Sequence, residues 1–78
     1  MEHRVLIVDD DHRLFVLLRD YLGAHGVLAV HASDGLRASG MLEVEDFDAV
    51  LLDVMMPGID GLETLRRIRK TSRIPVIM

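Results

Sequence analysis

Two spacings of apolar residues alternate along the chain and predict alternating strands and helices. Continuous apolar runs at residues 4–8 and 49–53 are typical of strands that are buried on both faces, as in the middle of a parallel sheet. Two further apolar runs, at residues 27–31 and 74–78, predict two more strands. Between the runs, apolar residues recur at helical spacing, which predicts three helices. The predicted order is therefore β-α-β-α-β-α-β.

The three predicted helices differ in how clearly the sequence marks their ends and their inner faces. Asp11 and Asp34 are expected to cap the first two helices, and Asp60, with Glu63 three residues on, is expected to begin the third. The second helix has the weakest pattern because Gly40 lies inside it and costs about 1 kcal/mol relative to Ala. The residues expected to face the sheet are Leu14, Leu17, Leu18, Tyr21, Leu22 and His25 in the first helix, Ala38, Met41 and Leu42 in the second, and Leu62, Leu65 and Ile68 in the third.

This order of elements predicts an α/β fold, a doubly wound parallel sheet with right-handed crossovers and helices on both faces. If the first strand lies between the second and the third, the winding direction reverses between strands one and three. Ligands of such sheets bind beyond the carboxyl ends of the strands at this point. Asp9 and Asp10 end the first strand and Asp53 ends the third. We therefore expect these three carboxylates to converge in one crevice.

Three neighbouring carboxylates predict a site for a hard divalent cation, because the cation relieves their mutual repulsion. An all-oxygen ligand set, with no Cys and no paired His, favours Mg²⁺ or Mn²⁺ over zinc or copper. Mg²⁺ binds one or two carboxylates, keeps several waters and accepts a phosphate oxygen. A carboxylate beside such an ion can attack phosphorus and hold the phosphoryl group as an acyl phosphate. The chemistry that these residues favour is phosphoryl transfer.

Composition restricts the class of protein further. The chain has 78 residues, of which half are hydrophobic, a formal net charge of −4 and no cysteine. This length predicts a single small domain. The acidic balance argues against nucleic-acid contact by this segment, which would require an excess of Lys and Arg. No apolar run approaches the length of a bilayer span and no signal-peptide pattern is present, so we expect a cytoplasmic location without membrane contact.

The same stretches resemble the receiver domain of bacterial two-component response regulators. The resemblance is carried by VLIVDDD at residues 5–11, LLDVMMPGIDG at residues 51–61, LRRIR at residues 65–69 and IPVIM at residues 74–78. Together these motifs span residues 5–78 in the order and spacing of that family. The resemblance implies a flavodoxin-like receiver fold with strand order 2-1-3-4.

The resemblance also implies a role for each site residue. Asp53 matches the phosphoacceptor, Asp9 and Asp10 match the acidic pair that holds Mg²⁺ together with Asp53, and Met55 matches the position whose backbone carbonyl is a further metal ligand. By the same resemblance, a histidine kinase donates the phosphoryl group, and an output domain or a downstream partner responds to it. The general style of the motifs favours an output that regulates transcription. The chain is not expected to be an enzyme beyond catalysing its own phosphorylation and dephosphorylation.

The chain departs from this family in its length. We expect a receiver domain over residues 1–78 that is incomplete at the C-terminus, without the fifth strand and the last helices. The hydroxyl residue that follows the fourth strand in this family, and the lysine that ends the fifth, fall outside the sequence. An apolar strand at residues 74–78 would then form an open edge of the sheet, which predicts self-association of the chain.

Other classes of function fit these residues less well. A dinucleotide-binding enzyme requires a Gly-rich turn where this chain has Asp9-Asp10-Asp11, and a phosphate-binding loop that ends in Gly-Lys-Ser/Thr is absent. A phosphatase with an aspartyl nucleophile is expected to have a DxD pattern at that nucleophile. In this chain Asp53 is followed two positions later by Met55 instead of a second Asp. The alternatives that stay open are a receiver-like interaction module that is not phosphorylated and an inactive truncated fragment. The four histidines show no ligand spacing, and only His12 is expected near the acids.

Overall fold

Four parallel strands and three helices alternate within residues 3–53 and 61–78, the part of the chain that the computed structural model describes. The elements are β1 (His3–Val8), α1 (His12–Gly23), β2 (Val27–Ala32), α2 (Gly35–Val44), β3 (Ala49–Leu52), α3 (Gly61–Thr71) and β4 (Val76–Ile77). They form a single sheet in the order β2-β1-β3-β4, which confirms the predicted topology. No helix in these two ranges has the length and apolar character that crossing a membrane requires.

The register of the sheet places the carboxyl ends of its central strands side by side. Val8, the last residue of β1, pairs with Ala32 of β2 on one side and with Leu52 of β3 on the other. Because all three strands run parallel, the residues that follow them emerge at the same edge of the sheet. Asp9 and Asp53 are the residues that follow β1 and β3.

The two faces of the sheet pack against different helices, which explains the continuous apolar run in β1. Leu6, Ile7 and Val8 are each no more than 2% exposed. Leu6 and Val8 pack in the core with Ile68 of α3, whereas Ile7 packs with Phe15 of α1 on the opposite face. A strand that is covered on both faces gains apolar burial from every residue, so its sequence does not alternate.

Helix α1 confirms two of its six predicted inward residues, Leu18 and Leu22, but turns the other four away from the sheet. Phe15 is buried and Leu18 and Leu22 pack beside it. The predicted inward residues that are exposed instead are Leu14, Leu17, Tyr21 and His25. The helix carries two apolar stripes, at positions 14, 17, 21 and 15, 18, 22, which differ by one residue and so by about 100° of rotation. The second stripe faces inward because it contains Phe15, whose ring is wholly apolar, whereas Tyr21 in the first stripe carries a hydroxyl group that water can hydrogen-bond when the ring is exposed.

The inward residues of the other two helices agree better with the prediction. In α2, Ala38 is buried and Met41 and Leu42 pack against the same core, as predicted. In α3, Ile68 and Leu65 face the core as predicted, but Leu62 is 58% exposed. Its expected place is taken by Gly61 and Thr64, which are buried. Small residues at these two positions let α3 approach the rest of the molecule closely.

Aspartates begin the first two helices, as predicted. Asp11 accepts hydrogen bonds from the backbone N–H groups of Arg13 (2.9 Å) and Leu14 (3.2 Å). Asp34 accepts one from the N–H of Arg37 at 2.8 Å. Each bond satisfies a backbone donor that the first helical turn leaves without a partner. Asp60, the predicted cap of α3, lies outside the described residues.

Helices α2 and α3 meet at Gly35, which lies against Thr64. A Cβ atom at position 35 would overlap Oγ1 of Thr64 and would lie 3.1 Å from its Cβ and 3.2 Å from its Cγ2. Thr64 is fully buried, so its side chain has little space to move away. The contact between the helices therefore requires glycine at position 35.

We expect Gly35→Ala to lower the free energy of unfolding by about 1–3 kcal/mol, because the added methyl group overpacks this contact. Gly40→Ala is the matched control in the same helix, where nothing lies within 4 Å of the new Cβ. That substitution should raise the free energy of unfolding by roughly 0.5–1 kcal/mol. Urea denaturation of both variants measures the difference. Equal effects of the two alanines would contradict the close approach of α2 and α3.

Candidate metal centre

The structure brings Asp9, Asp10 and Asp53 together at the carboxyl edge of the sheet. Each residue offers a carboxylate oxygen, and these oxygens all lie within 4.8 Å of one another. Asp9 is only 7% exposed, Asp53 is partly buried, and Asp10 is exposed. The three acids that the sequence predicts to converge are therefore neighbours, and they form a site that opens to solvent on the side of Asp10.

Backbone hydrogen bonds hold the two strand-end acids in place. The N–H of Asp53 donates to the carbonyl oxygen of Val8 at 2.9 Å, and the N–H of Asp9 donates to that of Ala32 at 3.1 Å. The hydrogen bonding between strands thus extends one residue beyond β1 and β3. Because alternate residues of a strand share a face, Asp9 follows Ile7 and Asp53 follows Leu51 onto the α1 face of the sheet.

The third consecutive acid, Asp11, supports the site without belonging to the cluster. Its backbone N–H donates to Oδ1 of Asp9 at 2.7 Å, a charge-assisted hydrogen bond that orients the Asp9 carboxylate. Its own carboxylate caps α1. The three adjacent aspartates therefore divide between two tasks, in which Asp9 and Asp10 contribute to the cluster and Asp11 begins the helix.

The charges of this cluster oppose folding when nothing positive compensates them. Two unit charges 4.8 Å apart repel by about 1 kcal/mol in bulk water and by about 3.5 kcal/mol at an effective dielectric constant of roughly 20. The exposure of Asp10 places its interactions toward the lower value. An all-oxygen donor set of this kind fits Mg²⁺ or Mn²⁺, which bind carboxylates without help from sulfur or imidazole. Met55, whose backbone carbonyl is the remaining predicted ligand, lies outside the described residues.

His31 contacts this site, although the sequence pointed only to His12. The Nε2 atom of His31 lies 2.7 Å from the backbone carbonyl oxygen of Asp9. Its ring stacks on Phe15, with centroids 4.5 Å apart, and the ring of His12 lies 5.6 Å from it. The sequence did contain a signal for His31, since it is a polar residue one position before the end of the otherwise apolar strand β2, which neighbours β1. The other two histidines lie outside this site. His3 lies beside Asp48, and His25 lies beside Tyr21.

Comparison with known protein sequences identifies relatives over nearly the whole chain. A family model described as the response regulator receiver domain matches residues 5–78. The chain is 42% identical over 77 residues to the uncharacterized transcriptional regulatory protein YrkP of Bacillus subtilis, covering 99% of this chain and 33% of YrkP. It is 47% identical over 75 residues to the CpxR homolog of Haemophilus influenzae, covering 96% of this chain and 33% of that protein. The chain thus spans about a third of the length of these relatives.

Solved structures show the same fold. The response regulator TrrA of Thermotoga maritima, crystallised with Mg²⁺-BeF, is similar with a TM-score of 0.90 and 35% identity, over 97% of this chain and 67% of that one. A complex of the histidine kinase ThkA with TrrA matches with a TM-score of 0.88 and 35% identity, over 95% of this chain and 65% of that one. The fold of this chain thus matches that of TrrA over at least 95% of its residues.

Removing one charge from the cluster should stabilise the protein when divalent cations are absent. We expect Asp10→Asn to raise the free energy of unfolding by roughly 0.5–1.5 kcal/mol in low salt with EDTA, because the amide relieves the repulsion. The gain should shrink at about 1 M salt, where the screening length falls to about 3 Å. Asp20→Asn, an exposed aspartate on α1, is the control and should change stability by less than about 0.5 kcal/mol. A loss of stability in Asp10→Asn would contradict this electrostatic account.

Proposed function

The chain belongs to the response regulator receiver domain family, and we propose from this premise that it accepts a phosphoryl group from a histidine kinase on Asp53. The observation that carries the proposal is the cluster of three carboxylates, from Asp9, Asp10 and Asp53, whose oxygens lie within 4.8 Å of one another. In the sequence, these three residues stand at the positions that the resemblance to the family implies for the phosphoacceptor and its acidic pair. The similarity to TrrA, which has been crystallised with a histidine kinase, supports the choice of donor.

We propose that Asp9, Asp10 and Asp53 hold Mg²⁺, with the backbone carbonyl of Met55 as a further ligand. When bound, the ion supplies positive charge that neutralises the oxygens of the transferring phosphoryl group. The all-oxygen donor set supports this assignment, as does the similarity to a TrrA structure that contains Mg²⁺-BeF. The chain's own contribution is to hold these carboxylates at fixed positions on two neighbouring strands.

The proposed reaction transfers one phosphoryl group between two side chains. A carboxylate oxygen of Asp53 forms a bond to phosphorus, while the bond from phosphorus to the imidazole nitrogen of the kinase breaks and its electron pair returns to that nitrogen. The product is an acyl phosphate on Asp53. Attack of water on phosphorus later releases inorganic phosphate and restores the carboxylate. The chain is therefore no enzyme toward other substrates and catalyses at most its own phosphorylation and dephosphorylation.

The consequence of phosphorylation is a change of local charge. The phosphoryl group adds about 1.5–2 negative charges at neutral pH, which biases a surface that an output domain or a partner recognises. Relatives that this chain matches over about a third of their length are described as transcriptional regulatory proteins. We propose that the output is control of transcription, that the protein acts in the cytoplasm, and that this segment itself makes no nucleic-acid contact. Self-association, which the sequence predicts, stays a prediction.

Acetyl phosphate in the presence of Mg²⁺ tests the proposal, with the protein in the longest form in which it is expressed. Intact-mass measurement should show the addition of one phosphoryl group to the unmodified protein and none to Asp53→Asn, because only Asp53 carries the acceptor oxygen. EDTA should suppress the addition. Asp46→Asn is the control, since this exposed aspartate lies in the loop before β3 at the opposite edge of the sheet, and it should be phosphorylated normally. Failure of the unmodified protein to form an adduct would favour an interaction module that is not phosphorylated.

A further inference from the structure

The side chain of His31 reaches from β2 to the backbone of the metal centre. Its Nε2 atom lies 2.7 Å from the carbonyl oxygen of Asp9, a residue 22 positions away in the sequence. A carbonyl oxygen can only accept a hydrogen bond, so Nε2 carries the hydrogen and donates it. This bond connects the edge of the sheet to the first of the three acids.

The accepting carbonyl belongs to the peptide unit that joins Asp9 to Asp10. The six atoms of a peptide unit lie in one plane, so a hydrogen bond to its oxygen also restrains the nitrogen and Cα of Asp10. Asp10 lies in the bend between β1 and α1 and is exposed. The direction of its side chain therefore depends on the orientation of this peptide plane.

Both partners of this hydrogen bond are held by further contacts. The ring of His31 stacks on that of Phe15, with an angle of 15° between the ring planes, and Phe15 is only 7% exposed. On the other side, the N–H of Asp9 donates to the carbonyl of Ala32, and its Oδ1 accepts from the N–H of Asp11. The donor is thus fixed before any ligand binds, which is what a group that supports a metal ligand requires.

We propose that His31 is a positioning residue of the metal centre. Through the peptide between Asp9 and Asp10, it sets the direction of the Asp10 carboxylate and so raises the affinity of the cluster for Mg²⁺. The inference rests on the proposed function, because it concerns the cation that this function requires. His31 could instead serve only to pack against Phe15. Substitutions can distinguish this packing role from the hydrogen bond to Asp9.

Two substitutions separate the hydrogen bond from the packing. His31→Phe keeps an aromatic ring that stacks on Phe15 but removes the donor, whereas His31→Gln keeps an N–H donor at a similar reach and removes the ring. Isothermal titration with Mg²⁺ on the full protein measures the dissociation constant. We expect it to rise about three- to tenfold in His31→Phe and to change by less than about twofold in His31→Gln. His25→Phe, just beyond the C-terminal end of α1, is the control and should bind Mg²⁺ normally.

The outcomes distinguish this inference from the proposed function. If the unmodified protein binds no Mg²⁺, the proposed cation site is wrong and the inference is wrong with it. If the unmodified protein binds Mg²⁺ and His31→Phe binds it equally well, only the inference is overturned, whatever the change in melting temperature. Equal weakening in the Phe and Gln variants also overturns it, because the donor is then not responsible. If His31→Phe does not fold, His31→Leu, which also lacks a donor, provides the same comparison.

Discussion

The parallel register of β1 against β3 is the constraint on which the site depends. Val8 lies opposite Leu52, so Asp9 and Asp53 emerge together. A slip of one residue would move one acid to the other face of the sheet. Burial of an apolar side chain stabilises the fold by about 1.5–3 kcal/mol, and β1 contributes three that are at most 2% exposed. The summed gain of these three side chains exceeds the repulsion of about 1–3.5 kcal/mol between Asp9 and Asp53, the pair that the register of β1 against β3 brings together. Apolar packing therefore sets the register, and the register in turn sets the positions of the acids.

The cluster illustrates how a site can be unfavourable for the fold and useful for function. Without a cation, the charges of Asp9, Asp10 and Asp53 repel one another at close range. A bound cation removes that repulsion, and the free energy so recovered contributes to its affinity. The hydrogen bond from the N–H of Asp11 restrains the Asp9 carboxylate. Backbone bonds to Val8 and Ala32 hold the strand ends.

The sequence was sufficient to predict the fold and the convergence of the acids, because both follow from uninterrupted apolar runs and from the order of the elements. It was insufficient for part of the inner face of α1, where two apolar stripes compete and the wholly apolar ring of Phe15 is buried while Tyr21 is exposed. The sequence also did not reveal that Leu62 is exposed. Its exposure follows from the orientation of α3 on α2, which the close contact of Gly35 with Thr64 sets. The contact of His31 with the backbone of Asp9 joins the ends of two neighbouring strands, and no periodicity in the sequence reveals it.

The most direct test of the central claim, that these three carboxylates form one cation site, is paramagnetic broadening by Mn²⁺ in nuclear magnetic resonance spectra of the backbone amides. Small amounts of Mn²⁺ should broaden the signals of residues 9–11 and 53 first, and excess Mg²⁺ should restore them. The signals of Gly26 and Asp48, at the opposite edge of the sheet, should stay sharp. Broadening spread evenly over the acidic surface, or centred on the acids at residues 45–48, would contradict the account.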